Sequence, residues 1–166
     1  MHATQKFFIS IVVCGLLASV VGCDKKEAPQ PLPTTQEQQR SFSQKIGELE
    51  INITYYFKAN IILRQTTVDT FPYSILAANN KAQAQAVMNK IAEGYKTVAG
   101  LTQRVEYPKD RVRESLTIDL TRANINELCR LPNITPGMIV TDCSAPYFTE
   151  ASVENFMLEQ GFEEIK

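Results

Sequence analysis

From Leu49 the chain alternates strictly, with Leu49, Ile51, Ile53, Tyr55 and Phe57 on one side and Glu50, Asn52, Thr54, Tyr56 and Lys58 on the other. A period of two with one apolar side is the pattern of a β-strand with one wet face. Lys58-Ala59-Asn60 is a short turn, and Ile61 to about Phe71, rich in Ile, Thr and Val, is the return strand of a hairpin stopped by Pro72. Between Asn80 and Gly100 the period lengthens. Ala84, Val87, Met88, Ile91, Tyr95 and Val98 recur at helical steps, which predicts a helix capped by Asn80 and stopped by Gly100. Gly94 inside it costs roughly 1 kcal/mol relative to Ala, so either close packing or a slight weakness is expected there.

A second hairpin follows: Leu101, Val105 and Tyr107 point inward, Pro108-Lys109-Asp110 turns the chain, and Leu116, Ile118 and Leu120 return. Arg104, Glu106, Glu114 and Asp119 are assigned to its wet side. Asn124 to Arg130 can form about two helical turns, and the stretch through Pro132, Pro136 and Gly137 is loop or a brief strand leading to Cys143. A last helix runs from about Glu150 to Gln160, burying Val153, Phe156 and Met157; Gly161 ends it, and Phe162 to Ile165 returns as an edge strand. The fold expected is α+β, a two-layer sandwich: an antiparallel sheet of two hairpins in a ββαββα core, with helices packed on one face. A helix-dominated bundle is the alternative, and the alternation from Leu49 to Phe57 disfavours it.

The amino-terminal stretch follows different rules. A cationic start at Lys6 leads into an uncharged apolar run from Phe7 to Val21, then Gly22 and Cys23. This is signal-peptide grammar, and the run falls short of the roughly 20 apolar residues that a spanning helix needs. Val20-Val21-Gly22-Cys23 looks like a bacterial lipobox, with Val where the pattern prefers Leu. Residues 1–22 are therefore read as a lipoprotein signal peptide and Cys23 as the lipidation site, where two acyl chains give stable anchoring. Residues 23–40, polar and broken by Pro29, Pro31 and Pro33, are read as a disordered tether, and 41–166 as one domain. Asp24, directly after the lipidated cysteine, resembles an inner-membrane retention signal in envelopes with an outer membrane.

Of four cysteines, Cys14 leaves with the signal and Cys23 takes lipid, which leaves Cys129 and Cys143. An even pair in an oxidising compartment reads as a disulfide, worth about 3 kcal/mol for a loop of this length in the chain-entropy model. A reduced, reactive pair is the alternative, and it would reopen thiol chemistry. The formal net charge of −1 leaves no basic footprint for nucleic acid. The one histidine, His2, departs with the signal, so triads, proton shuttles and nitrogen-ligated metals lose support. Gly47, Gly94, Gly100, Gly137 and Gly161 are scattered and build no phosphate or dinucleotide loop, so no cofactor is expected. Glu163-Glu164 and Asp119 near Glu127 match no calcium loop and read as solvated surface.

The order of these elements, with Arg64-Gln65-Thr66-Thr67, Phe71-Pro72-Tyr73-Ser74, Gly94-Tyr95-Lys96, Gly100-Leu101, Val105-Glu106-Tyr107, Lys109-Asp110, Leu116-Thr117-Ile118-Asp119 and the closing Leu158-Glu159-Gln160-Gly161-Phe162, resembles the YehR-like lipoproteins. That bacterial family is classed as a domain of unknown function. The resemblance covers nearly the whole mature domain and implies a two-layer α/β fold and a lipid anchor, with no reaction attached. Paired cysteines are not part of it, so the disulfide rests on the compartment argument.

With no nucleophile, base or cofactor cradle in view, the expected function is a non-catalytic binding or interaction module in the cell envelope. Its partners are the membrane, through lipid on Cys23, and an unidentified envelope protein or small ligand. Tyr56, out of phase with the inward set, and Tyr73, just past a strand end, are the candidate binding residues. The alternative is a small envelope hydrolase that works with carboxylates alone.

Overall fold

The computed structural model describes residues 36–131, 135–138 and 140–166. The expected signal peptide, Cys23 and most of the expected tether lie outside the described residues. The first element is one that the sequence pattern did not predict. Strand β1 (Gln38–Ile46) turns at Gly47 and is followed by β2 (Leu49–Lys58), with which it pairs along its whole length. One side of β1 reads Gln38, Arg40, Phe42, Gln44, Ile46, with only two apolar residues, so periodicity is silent there. The strand is held by the ladder, because the free edge of β2 must be paired or solvated.

β2 and β3 (Ile61–Pro72) form the first expected hairpin. Ala59 and Asn60, both left-handed, make its two-residue turn, the backbone geometry that matches strand twist. A short 3-10 turn at Tyr73–Leu76 leads to helix α1 (Lys81–Tyr95), where the Asn80 side chain accepts from the Gln83 amide as the expected cap. The helix stops at Tyr95 rather than Gly100. The Thr97 and Val98 amides bond back only three residues, to the Gly94 and Tyr95 carbonyls, and the Thr97 hydroxyl donates to the Gly94 carbonyl. Strands β4 (Leu101–Glu106) and β5 (Arg111–Asp119) make the second expected hairpin. Helices α2 (Ile125–Cys129) and α3 (Glu150–Glu159) and strand β6 (Glu163–Ile165) complete the chain.

The result is one six-stranded antiparallel sheet in the order β4-β5-β3-β2-β1-β6, in place of the four-stranded ββαββα core. β3 and β2 are central, and β6 is a three-residue edge beside β1. Register fixes which side chains share a face. One row across the inner face reads Gln44, Ile51, Asp69, Glu114, Val105, and the next reads Phe42, Ile53, Thr67, Leu116, Gln103. The opposite face is polar, and one of its rows, Ser41, Thr54, Thr66, Thr117 and Thr102, carries a hydroxyl at every position.

Two apolar clusters sit on the inner face. One packs Ala84, Met88, Ile91 and Tyr95 of α1 against Phe71, Val112, Leu116 and Ile118. The other packs Val153 and Met157 of α3 against Phe42, Ile51, Ile53 and Tyr55. At roughly 2 kcal/mol per fully buried apolar side chain, these clusters supply the main stabilisation of the domain. Arg40 ties β1 to the α3 side, meeting Glu150 at 2.9 Å, Glu154 at 2.5 Å and Glu164 at 3.5 Å.

Candidate functional site: a buried acid pair beside an apolar cleft

The two clusters are parted by polar residues on the inner side of the central strand. Gln65, Thr67 and Asp69 occupy three successive inward positions of β3 and are buried. Opposite Asp69 in register stands Glu114 of β5. Glu114 does not lie on the wet side. It shares the phase of Leu116 and Ile118 and is 0% exposed, while Asp69 is 1% exposed.

The surroundings of this pair are polar but uncharged. Gln103 Nε2 donates to Glu114 Oε1 in a short hydrogen bond. Gln65 Nε2 donates to Thr67 Oγ1 at 3.2 Å and to the Gly137 carbonyl at 3.4 Å. The Thr135 amide donates to Tyr95 Oη at 3.0 Å, and the two hydroxyls are 3.2 Å apart. Both oxygens of Asp69 and Oε2 of Glu114 meet no hydrogen-bond donor among the described residues. Two facing ionised carboxylates with unpaired oxygens are too costly inside a protein, and a proton shared between them would remove the repulsion and pair one oxygen of each acid. Burial first, and then the Glu114 charge, push the Asp69 carboxyl up to about 8, against the pull of the Gly137 amide. Burial likewise pushes Glu114 up, against the hydrogen bond from Gln103 and the nearby Thr135.

Beside the pair lies a cleft of about 500 Å³ between α3, the β1–β2 end of the sheet and the Leu128–Cys143 stretch. Its walls include Ile51, Leu128, Met138, Val140, Phe156 and Phe162, with Gln44, Gln160 and the Cys129–Cys143 bridge alongside them. Gln44 Nε2 donates to the Gln160 carbonyl at 2.7 Å, which orients the amide. None of the thirteen described residues lining the cleft carries a titratable group, since the two cysteines are joined. Such a surface offers an apolar ligand burial and a few amide hydrogen bonds, the usual composition of small-molecule sites.

The residues singled out from sequence fare differently. Cys129 and Cys143 are bridged, with Cα atoms 6.0 Å apart. Tyr56 is on the open polar face, with the Arg64 guanidinium 3.9 Å from its ring centroid and Arg64 also meeting Glu37 at 3.3 Å. Tyr73 is buried: its ring joins the α1 cluster and its hydroxyl donates to the Lys109 carbonyl at 2.9 Å. Arg64, the partner of Tyr56, and Tyr73 stand near opposite ends of β3, roughly 30 Å apart at ~3.4 Å per residue, so the two tyrosines form no common surface. Glu164 pairs with Arg40, and Asp119 accepts from the Thr121 amide and hydroxyl in a local turn. Among the described residues no group of three or more His, Cys, Asp or Glu side chains is gathered to hold a metal ion, and no helix is long and apolar enough to cross a membrane.

Sequence reasoning missed the acid pair, although a signal was present. Counting back from Phe71 in steps of two reaches Asp69, Thr67 and Gln65, and counting back from Ile118 reaches Glu114. Both acids carry the inward phase of their strands. That they face each other depends on β5 lying next to β3, which strand periodicity alone cannot tell.

The DUF1307 family, described as a protein of unknown function, matches residues 38–163. The uncharacterised lipoprotein YehR of Escherichia coli (strain K12) is 26% identical over 166 residues, the whole of both chains. The uncharacterised lipoprotein Lin0239 of Listeria innocua is 25% identical over 130 residues, 78% of this chain and 82% of the relative. The NMR structure of the E. coli YehR protein superposes with a TM-score of 0.67 at 25% identity, covering 80% of this chain and 93% of the other. An NMR structure of a protein from Streptococcus pneumoniae TIGR4 reaches a TM-score of 0.54 at 10% identity over 99% of each chain, a likeness of fold alone.

Proposed function

The chain belongs to the DUF1307 family, whose relatives are uncharacterised lipoproteins, and from that premise we propose that it is a non-catalytic binding module held in the cell envelope by lipid on Cys23. The binding site in this reading is the cleft beneath the disulfide-linked stretch, and its ligand is an uncharged, largely apolar small molecule. One observation carries the proposal: a cleft of about 500 Å³ is lined, among the described residues, by no group that can act as acid, base or nucleophile. A site with apolar walls and two amides can hold and orient a ligand, and it has nothing with which to move a proton or attack a bond.

Carboxylate-only hydrolysis is less well supported. It needs two acids about 5–10 Å apart with substrate between them. Asp69 and Glu114 instead face each other in the core, 1% and 0% exposed.

The reading is tested with Nile red, a neutral apolar dye that fluoresces when it leaves water, on the chain from residue 23 carrying Cys23→Ser. That chain keeps every described residue and needs no detergent. Dye binding is expected, and Ile46→Glu, which puts a charge on a cleft residue that is 57% exposed, should abolish it with the melting temperature unchanged. No dye binding, or binding indifferent to Ile46→Glu, would overturn the proposal. Tyr56 supports a second surface, for a protein partner, because its ring and the stacked Arg64 stand on the sheet face opposite both clusters. Crosslinking in intact cells, lost on Tyr56→Ala, is the result that would favour it.

A further inference from the structure

The short stretch Thr135–Met138 touches both the acid pair and the cleft, with alternate residues. Thr135 and Gly137 sit on the pair: Thr135 stands near Glu114 and is hydrogen-bonded to Tyr95, and a Cβ built on Gly137 would stand 2.6 Å from Thr67 Cγ2 and 2.9 Å from Asp69 Oδ2. Pro136 and Met138, the residues in between, line the cleft. The backbone therefore rests in van der Waals contact with the acids on one side and shapes the cleft on the other.

We propose that the proton shared by Asp69 and Glu114 holds Thr135–Met138 in place as a wall of the cleft, so that occupancy of the cleft is coupled to protonation of the pair. The inference rests on the cleft being the binding site. Its physical basis is that the two acids cannot move apart by themselves, because they occupy facing positions on strands joined by a backbone ladder. Loss of the shared proton leaves two charges side by side in a medium of low dielectric. Among the described residues no cation is there to offset them. The groups packed around the pair are Gln65 and Thr67 of β3, Gln103 of β4, Thr135 and Gly137 of the wall, and the Tyr95 phenol of α1. Farther out stand the Tyr107 and Tyr73 phenols. Tyr95 and Tyr107 are both pushed up by burial, so they stay neutral and add no further negative charge. Among the described residues around the pair, the part that belongs to no strand or helix is Thr135–Met138, and we infer that admitting water to the pair shifts it. A shift there moves Pro136 and Met138 in the cleft.

The test is Nile red affinity between pH 6.5 and 9.5 for the chain from residue 23 carrying Cys23→Ser, with and without Asp69→Asn. The variant replaces the shared proton by an amide N–H that can donate to Glu114 at any pH. The parent should lose about tenfold in affinity across the range, within the ordinary span of coupling between sites, and the variant should stay constant within about twofold. Hydrogen exchange at Thr135–Met138 should rise with pH beyond its intrinsic rate in the parent only, while far-ultraviolet circular dichroism stays unchanged. Glu114→Gln is the second variant and should behave as Asp69→Asn does. Parallel pH profiles in parent and variants would overturn the coupling and leave the cleft reading standing. So would loss of the dichroism signal over the same range, since that reports global melting. Absence of dye binding at every pH removes the cleft, and this inference with it.

Discussion

Replacing Asp69 by Asn should change how the stability of the domain depends on pH. Burial and the Glu114 charge raise the Asp69 carboxyl from 3.8 to about 8 in the fold. Between those values the folded domain keeps a proton that the unfolded chain has released, so rising pH favours unfolding. The contribution is fully present below 3.8, declines above it, and is lost once the pH passes about 8. Its ceiling is about 6 kcal/mol, at ~1.4 kcal/mol for each pH unit crossed. Glu114 is raised as well, and its contribution has the same sign. Urea denaturation at a series of pH values from 5.5 to 8 should show the parent losing about 3 kcal/mol of unfolding free energy relative to Asp69→Asn, a large part of a typical domain's total stability. The two proteins should differ in slope rather than by a constant offset, because the variant has one titrating acid fewer. Stability curves for parent and variant that run parallel across this range would show that the pair carries no shared proton, and the reasoning would fail.

Further expectations follow from the packing. Gly137→Ala should destabilise the domain by about 1–3 kcal/mol, as overpacking does, because its Cβ would meet Thr67 and Asp69. Gly94→Ala, whose Cβ would find only Leu131 Cδ2 at 3.9 Å, should instead stabilise α1 by about 1 kcal/mol; equal effects from the two would refute the steric account. Reduction of Cys129–Cys143 should lower stability by about 2–3 kcal/mol for a loop of 14 residues, checked by melting with and without reductant. Arg40→Ala should cost about 1 kcal/mol at low salt and less at high salt, because its three ion pairs are partly exposed; a loss independent of salt would argue against them. A Cys23→Ser precursor should stay uncut and unlipidated, which mass spectrometry of its amino terminus decides.

What the sequence determined by itself is local. The alternation from Leu49 to Phe57, the helical steps from Ala84 to Val98 and the turn residues place both hairpins, α3 and the start of α1, because periodicity and capping are written in neighbouring side chains. The Cys129–Cys143 partnership also needed only the count of cysteines and a compartment. Three things were settled only by tertiary structure. β1 has too few apolar residues to announce itself and exists because β2 presents an open edge. Tyr73 follows a strand end and could as well face solvent, until the turn into α1 folds its ring into the core. Asp69 and Glu114 each carry the inward phase of their own strand, but a buried acid has no fixed meaning until its neighbour is known. The adjacency of β5 to β3 and the Thr135–Met138 segment laid across them turn two acids, 45 residues apart in sequence, into one buried, facing pair. Long-range pairing of this kind depends on how the whole sheet is ordered, and no window of local sequence contains that order.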